Sequence, residues 1–375
     1  MSYSISFNAD SSDHLESKMF LDDAGAPAIQ RFEQVRYNPF ENFTNKQLSF
    51  FWKPEEVDVS KDKRDFQNLT PEQEHIFTSN LKRQIVLDSI NGRGPNLTLL
   101  PIASLPEVEA WIETWSQNET LHSRAYTHVI RNVYPNPSTV FDEIFDIPEI
   151  LDCARDISGY YDNLAKWNTI WEAKKLDIPL DGVEYDAYQH KRALWLALNS
   201  INALEGLRFY VSFACSWAFA ELKQMEGNAK IIRLICRDEN LHLGSTQYML
   251  RTLPKDDPIF EQIREDTREE VTQIFVDVVN QEVEWAQYLF QHGSMIGLNA
   301  EILSQYIRFI ASKRMRTLNM DIPFEYPKAD PLPWTKNWIS GKSVQNAPQE
   351  TEITSYLISD IDQDVDQVTL NNLSI

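Results

Sequence analysis

Apolar residues recur at intervals of three and four along most of the chain, the period of helices with one buried face. The clearest stripe reads Trp111, Trp115, Glu119, His122, Tyr126 and Val129. It lies in a helix predicted to open at Ser104, Pro106 and Glu107 and to end near Tyr134-Pro135-Asn136-Pro137. The spacing places a carboxylate, an imidazole and a phenol on one helix face, in line with bulky apolar residues. A second stripe is Phe77, Leu81, Ile85 and Asp88. Its helix begins at Thr70, Pro71, Glu72 and Gln73, which supply an N-cap, a first-position proline and a capping-box partner, and it stops at Asn91-Gly92.

A third stripe, Leu194, Leu198, Ile201, Glu205, Phe209 and Phe213, belongs to a helix from about Tyr188 to Ala220. The fourth, Ile232, Ile235, Glu239, His242, Thr246 and Met249, runs from Asn228 to Leu253 and is expected to end at Pro254. Further helices are predicted over 158–173, 260–292 and 299–319. Leu176 to Asp186 reads as a loop or short hairpin around Asp181-Gly182. The division expected is a poorly ordered segment over 1–30, a helical domain over 31–340 and an acidic tail over 341–375. After Lys342 there is no Lys, Arg or His, and the tail reads as a segment that orders on a partner.

Composition narrows the class. Hydrophobic residues make up 42% of 375, enough for a sizeable core, and only 11 glycines favour helices over a sandwich or barrel. A formal net charge of −21 argues against nucleic acid and against an anionic membrane surface, both of which attract clustered cations. Cys153, Cys215 and Cys236 are scattered and form no CxxC, so neither a disulfide framework nor a redox pair is indicated. The N-terminus lacks an apolar signal core. Ala193 to Ala220 is long enough to span a bilayer but carries Asn199, Asn202, Glu205 and Arg208, which points to a buried helix. A cytoplasmic location is the expectation.

Each polar residue on these stripes has a plain reading. Asp88 could turn to solvent near its helix end, Glu205 could pair with Arg208, Tyr126 could donate a hydrogen bond, and Trp52 could simply pack an entry segment. Glu72-x-x-His75 serves the cap and dipole of its helix and is set aside. Together the stripes say more. Two helices offer single carboxylates, Asp88 and Glu205, and two offer Glu-x-x-His, in the order carboxylate, pair, carboxylate, pair. That is the ligand set of a di-metal carboxylate site in a ferritin-like four-helix bundle. Four carboxylates balance two divalent ions, and an oxygen-rich set with two imidazoles suits iron or manganese better than zinc. Dioxygen activation is the chemistry such a site suits, with Tyr126 one turn beyond His122.

The stretches KQLSFFWKPEEVD, VLDSINGR, ETLHSRAYTHVIRN, NALEGLRFYVSFACS and EGNAKIIRLICRDENLHL, with SYL in the tail, resemble the small subunit of class I ribonucleotide reductase of the class Ia type. The resemblance spans about Lys46 to Tyr356. It implies an all-α ferritin-like fold and a pair of iron ions, manganese or a mixed pair being the lesser alternatives. Asp88, Glu119 and His122 would bind one ion, and Glu205, Glu239 and His242 the other. Tyr126 would store a radical in a pocket of Phe209, Phe213 and Ile235. Asp238 and Trp52 would relay oxidation outward, and Tyr356 and Glu350 would pass it to a large subunit docked by the last residues. A homodimer is implied, as is reduction of ribonucleotides to 2′-deoxyribonucleotides. The competing readings are a ferritin-like ferroxidase or storage shell and a di-metal oxidase with no large-subunit partner.

Overall fold

The helical period written along the chain becomes helix throughout a computed structural model that describes residues 4, 7, 14–25, 28–295 and 297–339. Tyr356, Glu350 and the docking tail lie outside the described residues. The first helices are α1 (Asn38–Ser49), α2 (Ser60–Phe66), α3 (Pro71–Asn91) and α4 (Gly94–Thr98). Then come α5 (Pro106–Val133), α6 (Pro137–Asp142), α7 (Pro148–Lys175) and α8 (Ala187–Ala203). A π-helical turn, Leu204–Arg208, joins α8 to α9 (Tyr210–Glu221). The remainder are α10 (Glu226–Asp256), α11 (Ile259–Asp266), α12 (Arg268–Leu289), α13 (Ala300–Thr317) and α14 (Lys336–Ile339). Among the described residues no strand forms, and the β pairings there are isolated bridges, Phe20 with Ala103 and Met295 with Leu298. The 176–186 segment is accordingly a turn and not a hairpin.

Local chemistry sets the helix starts. Thr70 Oγ1 accepts from Gln73 N, and Gln73 Oε1 accepts from Thr70 N, so the predicted capping box closes. Asp186 Oδ1 caps α8 through Tyr188 N and Gln189 N. α10 is capped from outside: Asp62 of α2 accepts from Gly227 N and Asn228 N. Gly227 is required there, because a Cβ would come within 2.7 Å of Asp58 O.

Four boundaries differ from the sequence reading, the first being the start of α7, which lies at Pro148 and not at 158. The helix expected over 188–220 is interrupted by the π turn. The one expected over 260–292 divides at Thr267, where the backbone leaves helical angles (φ −108°, ψ 9°) and Thr267 Oγ1 donates to Ile263 O. α10 does not end at Pro254. Proline costs only one backbone bond so near a terminus, and the last turn is held from outside. Asp256 accepts from Tyr37 Oη and Met19 N, and Asp257 pairs with Lys18 and Lys191. Met19 and Phe20, in a stretch whose polar pattern marks no element, are buried and strap the molecule beside α10 and Ser104.

The four stripes face one another. α3 packs on α5, and α10 packs on α5, α8 and the π turn, so that one core carries the polar side chains of all four.

Candidate metal centre

All six predicted ligands converge. Asp88, Glu119, His122, Glu205, Glu239 and His242 are each 0% exposed. One donor atom from each of Asp88, Glu119, His122 and Glu239 lies within 4.8 Å of the others. The same holds for Glu119, Glu205, Glu239 and His242, so Glu119 and Glu239 are common to both groups. His122 turns Nδ1 to Glu239 Oε1 (3.2 Å) and Glu119 Oε2 (3.3 Å). His242 turns Nδ1 to Glu239 Oε2 (2.8 Å) and Glu119 Oε1 (3.0 Å).

The donor set fits two cations. Both oxygens of Asp88, Oε2 of Glu119 and Glu205, Oε1 of Glu239 and Nδ1 of His122 are buried without a hydrogen-bond partner. Such atoms are costly unless something coordinates them. Protein charge alone distorts the titration of the site. Burial, then Glu119 and Glu239, push Asp88 well above the usual carboxylate range. Burial, then Glu239 and Glu119, do the same to Glu205. Burial opposes a charge on His242, yet Glu119 and Glu239 raise it to about 9. His122 is raised as well, Glu239 and the hydrogen-bonded carboxylates outweighing burial. Two carboxyls pushed upward beside two imidazoles also pushed upward are the signature of a site short of positive charge.

Arg208 does not supply that charge. The π turn aims it away from Glu205 toward α7 and α12, where it pairs with Asp156 and Gln281 and lies 3.0 Å from Cys153 Sγ. The plain ion-pair reading of Glu205 therefore fails, as does the solvent reading of Asp88. Glu72 and His75, the set-aside pair, do lie apart: His75 Nε2 contacts Tyr288 O.

Tyr126 is 0% exposed, and its hydroxyl lies beside the Asp88 carboxylate. Burial, then the neighbouring Asp88 carboxylate, raise its pKa well above 10. Phe209, Phe213 and Ile235 are fully buried, and the two phenylalanine rings stack at 5.5 Å. On the other side of His122, Nε2 meets Asp238 Oδ2 at 3.2 Å, and the same oxygen accepts from Trp52 Nε1 at 2.9 Å. Burial opposes ionisation of Asp238, but the His122 hydrogen bond and the Arg237 charge hold its pKa below the usual value. An ionised carboxylate only accepts, so Nε2 of His122 carries a proton, and Nδ1 is the nitrogen turned to the clustered carboxylates.

Sequence reasoning missed two contacts of the site. Trp115, taken as an apolar stripe residue, donates Nε1 to Glu119 Oε1 at 2.9 Å, the i, i+4 spacing being the signal. Asn91, taken as a helix stop, donates to Glu119 and Glu205. It lies three residues after Asp88, hence on the ligand face.

Comparisons with known proteins agree with this geometry. The family model described as ribonucleotide reductase, small chain, matches residues 30–331. The Salmonella typhimurium ribonucleoside-diphosphate reductase 1 subunit beta is 48% identical over 375 residues, covering 98% of this chain and 99% of that one. The corresponding Buchnera aphidicola subunit beta (subspecies Baizongia pistaciae) is 52% identical over 342 residues, 90% of this chain and 91% of its own. A ribonucleotide reductase R2 subunit from Clostridium botulinum, 21% identical, superposes with a TM-score of 0.72 over 86% of this chain and 94% of that one. At that identity the likeness speaks for the fold, which is ferritin-like and all-α. The chain belongs to the ribonucleotide reductase small-chain family.

Proposed function

We propose that this chain is the radical-generating small subunit of a ribonucleoside-diphosphate reductase, with Tyr126 as the residue that stores the oxidising equivalent. One observation carries the reading: two four-donor groups share Glu119 and Glu239, and His122, in the group with Asp88, is hydrogen-bonded through Asp238 to Trp52. A ferroxidase or storage shell needs neither that connection nor Tyr126, and the close relatives are reductase subunits.

Asp88, Glu119, His122 and Glu239 would hold one ion, and Glu119, Glu205, Glu239 and His242 the other. Iron is the ion favoured by the oxygen-rich donor set, with manganese the nearest alternative. When bound, an iron pair supplies the power to remove one electron from a phenol with dioxygen as terminal oxidant. Tyr126 would give up that electron together with the proton on Oη, for which Asp88 is the adjacent acceptor. Phe209, Phe213 and Ile235 would keep water and reductants away from the oxidised ring. Asp238 fixes the His122 tautomer and gives Trp52 a hydrogen-bonded path to the site. From Trp52 the oxidation would pass through Tyr356, with Glu350 beside it, to a large subunit bound by the tail. Reduction of the ribonucleotide would take place on that partner. A homodimer in the cytoplasm completes the reading. Among the described residues no helix is long and apolar enough to cross a membrane.

The test is reconstitution of the metal-free protein with ferrous iron and oxygen, followed by electron paramagnetic resonance. A tyrosyl signal is expected, and Tyr126→Phe should abolish it while iron uptake survives. A signal that persists in that variant would refute the assignment.

A further inference from the structure

Asn91 ends α3, one turn beyond Asp88, and its amide is saturated by chemistry that leaves no choice of orientation. Nδ2 donates to Glu119 Oε1 at 2.7 Å and to Glu205 Oε1 at 2.5 Å. Oδ1 accepts from Tyr161 Oη at 2.8 Å. A flipped amide would set its oxygen against two carboxylate oxygens and its N–H groups against a hydroxyl, so only this orientation is compatible with the partners. Tyr161 comes from α7 and is itself seated by Gly94, where a Cβ would fall 2.2 Å from the phenol ring. The short run Asn91-Gly92-Arg93-Gly94 thus supplies both the connector and the slot that holds its far end.

The consequence falls on two carboxylates from different helices. Glu119 of α5 has Oε1 held by Asn91 and by Trp115, while its Oε2 has no hydrogen-bond partner. Glu205 of the π turn has Oε1 held by Asn91, and again Oε2 has none. Asp88, which Asn91 does not touch, has both oxygens without one. We propose that Asn91, backed by Tyr161, is a positioning residue of the metal centre: it fixes one oxygen each of Glu119 and Glu205 so that the other is presented to an ion. Its influence is uneven, because Glu119 belongs to both groups whereas Glu205 belongs only to the group with His242, so that group has two of its carboxylates placed by Asn91 and the other has one. The inference rests on the di-metal reading above.

The test is titration of the metal-free full-length protein with manganese(II), counting free aqueous ion by electron paramagnetic resonance. The parent should take two ions per chain; a parent that binds none would overturn the di-metal reading, and the positioning role with it. Asn91→Leu removes both donors at similar size. It should weaken both ions but unequally, one by about tenfold or more and the other several-fold less than that. Tyr161→Phe leaves the amide but frees it to turn, and should weaken the same ion by about threefold, as expected for loss of one neutral hydrogen bond. Equal weakening of both ions in these variants would indicate general loosening and overturn the proposal. So would parent-like binding of both ions. Far-ultraviolet circular dichroism of each metal-free variant checks that the helices are intact, and if Asn91→Leu fails to fold, Tyr161→Phe decides the question.

Discussion

His122 and Asp238 are joined at 3.2 Å through the imidazole Nε2, on the side of the ring away from the clustered carboxylates. The bond orients the His122 ring and reaches Trp52 through the same carboxylate oxygen. The two roles separate by substitution. Asp238→Ala should weaken metal binding by about 10- to 100-fold, read by equilibrium titration. Trp52→Phe breaks the link without touching a ligand. It should keep two ions per chain and the Tyr126 signal while turnover with the large subunit falls to background. Loss of metal in the Trp52 variant would count against a transfer role.

Two buried phenols flank the centre, and they differ in what receives their proton. Tyr126 faces the Asp88 carboxylate, whereas Tyr161 donates to the Asn91 amide, which is not a base. Removal of Tyr126 should therefore not move the radical to Tyr161. Tyr126→Phe protein reconstituted with iron and oxygen, made with ring-deuterated tyrosine, should show no deuterium-sensitive tyrosyl signal. Such a signal, lost again on adding Tyr161→Phe, would show that the acceptor does not decide.

His190 gives stability a pH dependence unrelated to metal. It is 0% exposed, with Nε2 2.7 Å from Asn168 Oδ1 and Nδ1 3.3 Å from Tyr185 Oη. Burial, then the Lys191 charge, lower its pKa to about 4 from 6.5. Between those values the unfolded chain binds a proton that the folded chain does not, so stability is present near neutrality and lost as pH falls from 6.5 toward 4. About 2 kcal/mol should be gone by pH 5. The stability difference between the parent and His190→Gln, measured by urea unfolding at pH 7 and pH 5, should shift by that amount against the parent. A constant difference would mean that His190 titrates normally.

Gly94→Ala tests the slot under Tyr161. The added methyl would meet the phenol ring at 2.2 Å, so the ring or the start of α4 must move. Overpacking of this kind costs about 1–3 kcal/mol. A fall in the thermal midpoint of the metal-free protein is expected, and an unchanged midpoint would show that Tyr161 has room to yield.

The convergence of six polar side chains was legible in the sequence because they sit at helical spacing on stripes that are otherwise apolar. A buried Glu-x-x-His announces itself when Trp111, Trp115 and Val129 share its face. The start of α3 was legible because Thr70 caps its own helix. What escaped detection depends on partners distant in sequence. α10 continues past Pro254 because Tyr37, Met19, Lys18 and Lys191 hold Asp256 and Asp257. Asn91 looked like a stop signal because an Asn-Gly pair ends helices. Its work depends on Tyr161, seventy residues away, which no local pattern links to it. α1 and α2 went unassigned because few of their residues are buried: Phe40, Phe43 and Gln47 in one, Asp62 in the other.

The π turn at Leu204–Arg208 leaves this helix one residue over-long for its α register. Each residue of an α-helix advances the chain by about 100°. Excising one residue between 204 and 208 would therefore not trim a loop. It would let the α ladder close and swing the whole of α9, from Tyr210 to Glu221, by about a quarter turn against α8. Glu205 and the stacked Phe209 and Phe213 hang on the two sides of that surplus residue. Length at this point is consequently as much a determinant of the centre as residue identity, and a chain one residue shorter here would have to pack different side chains beside Glu205.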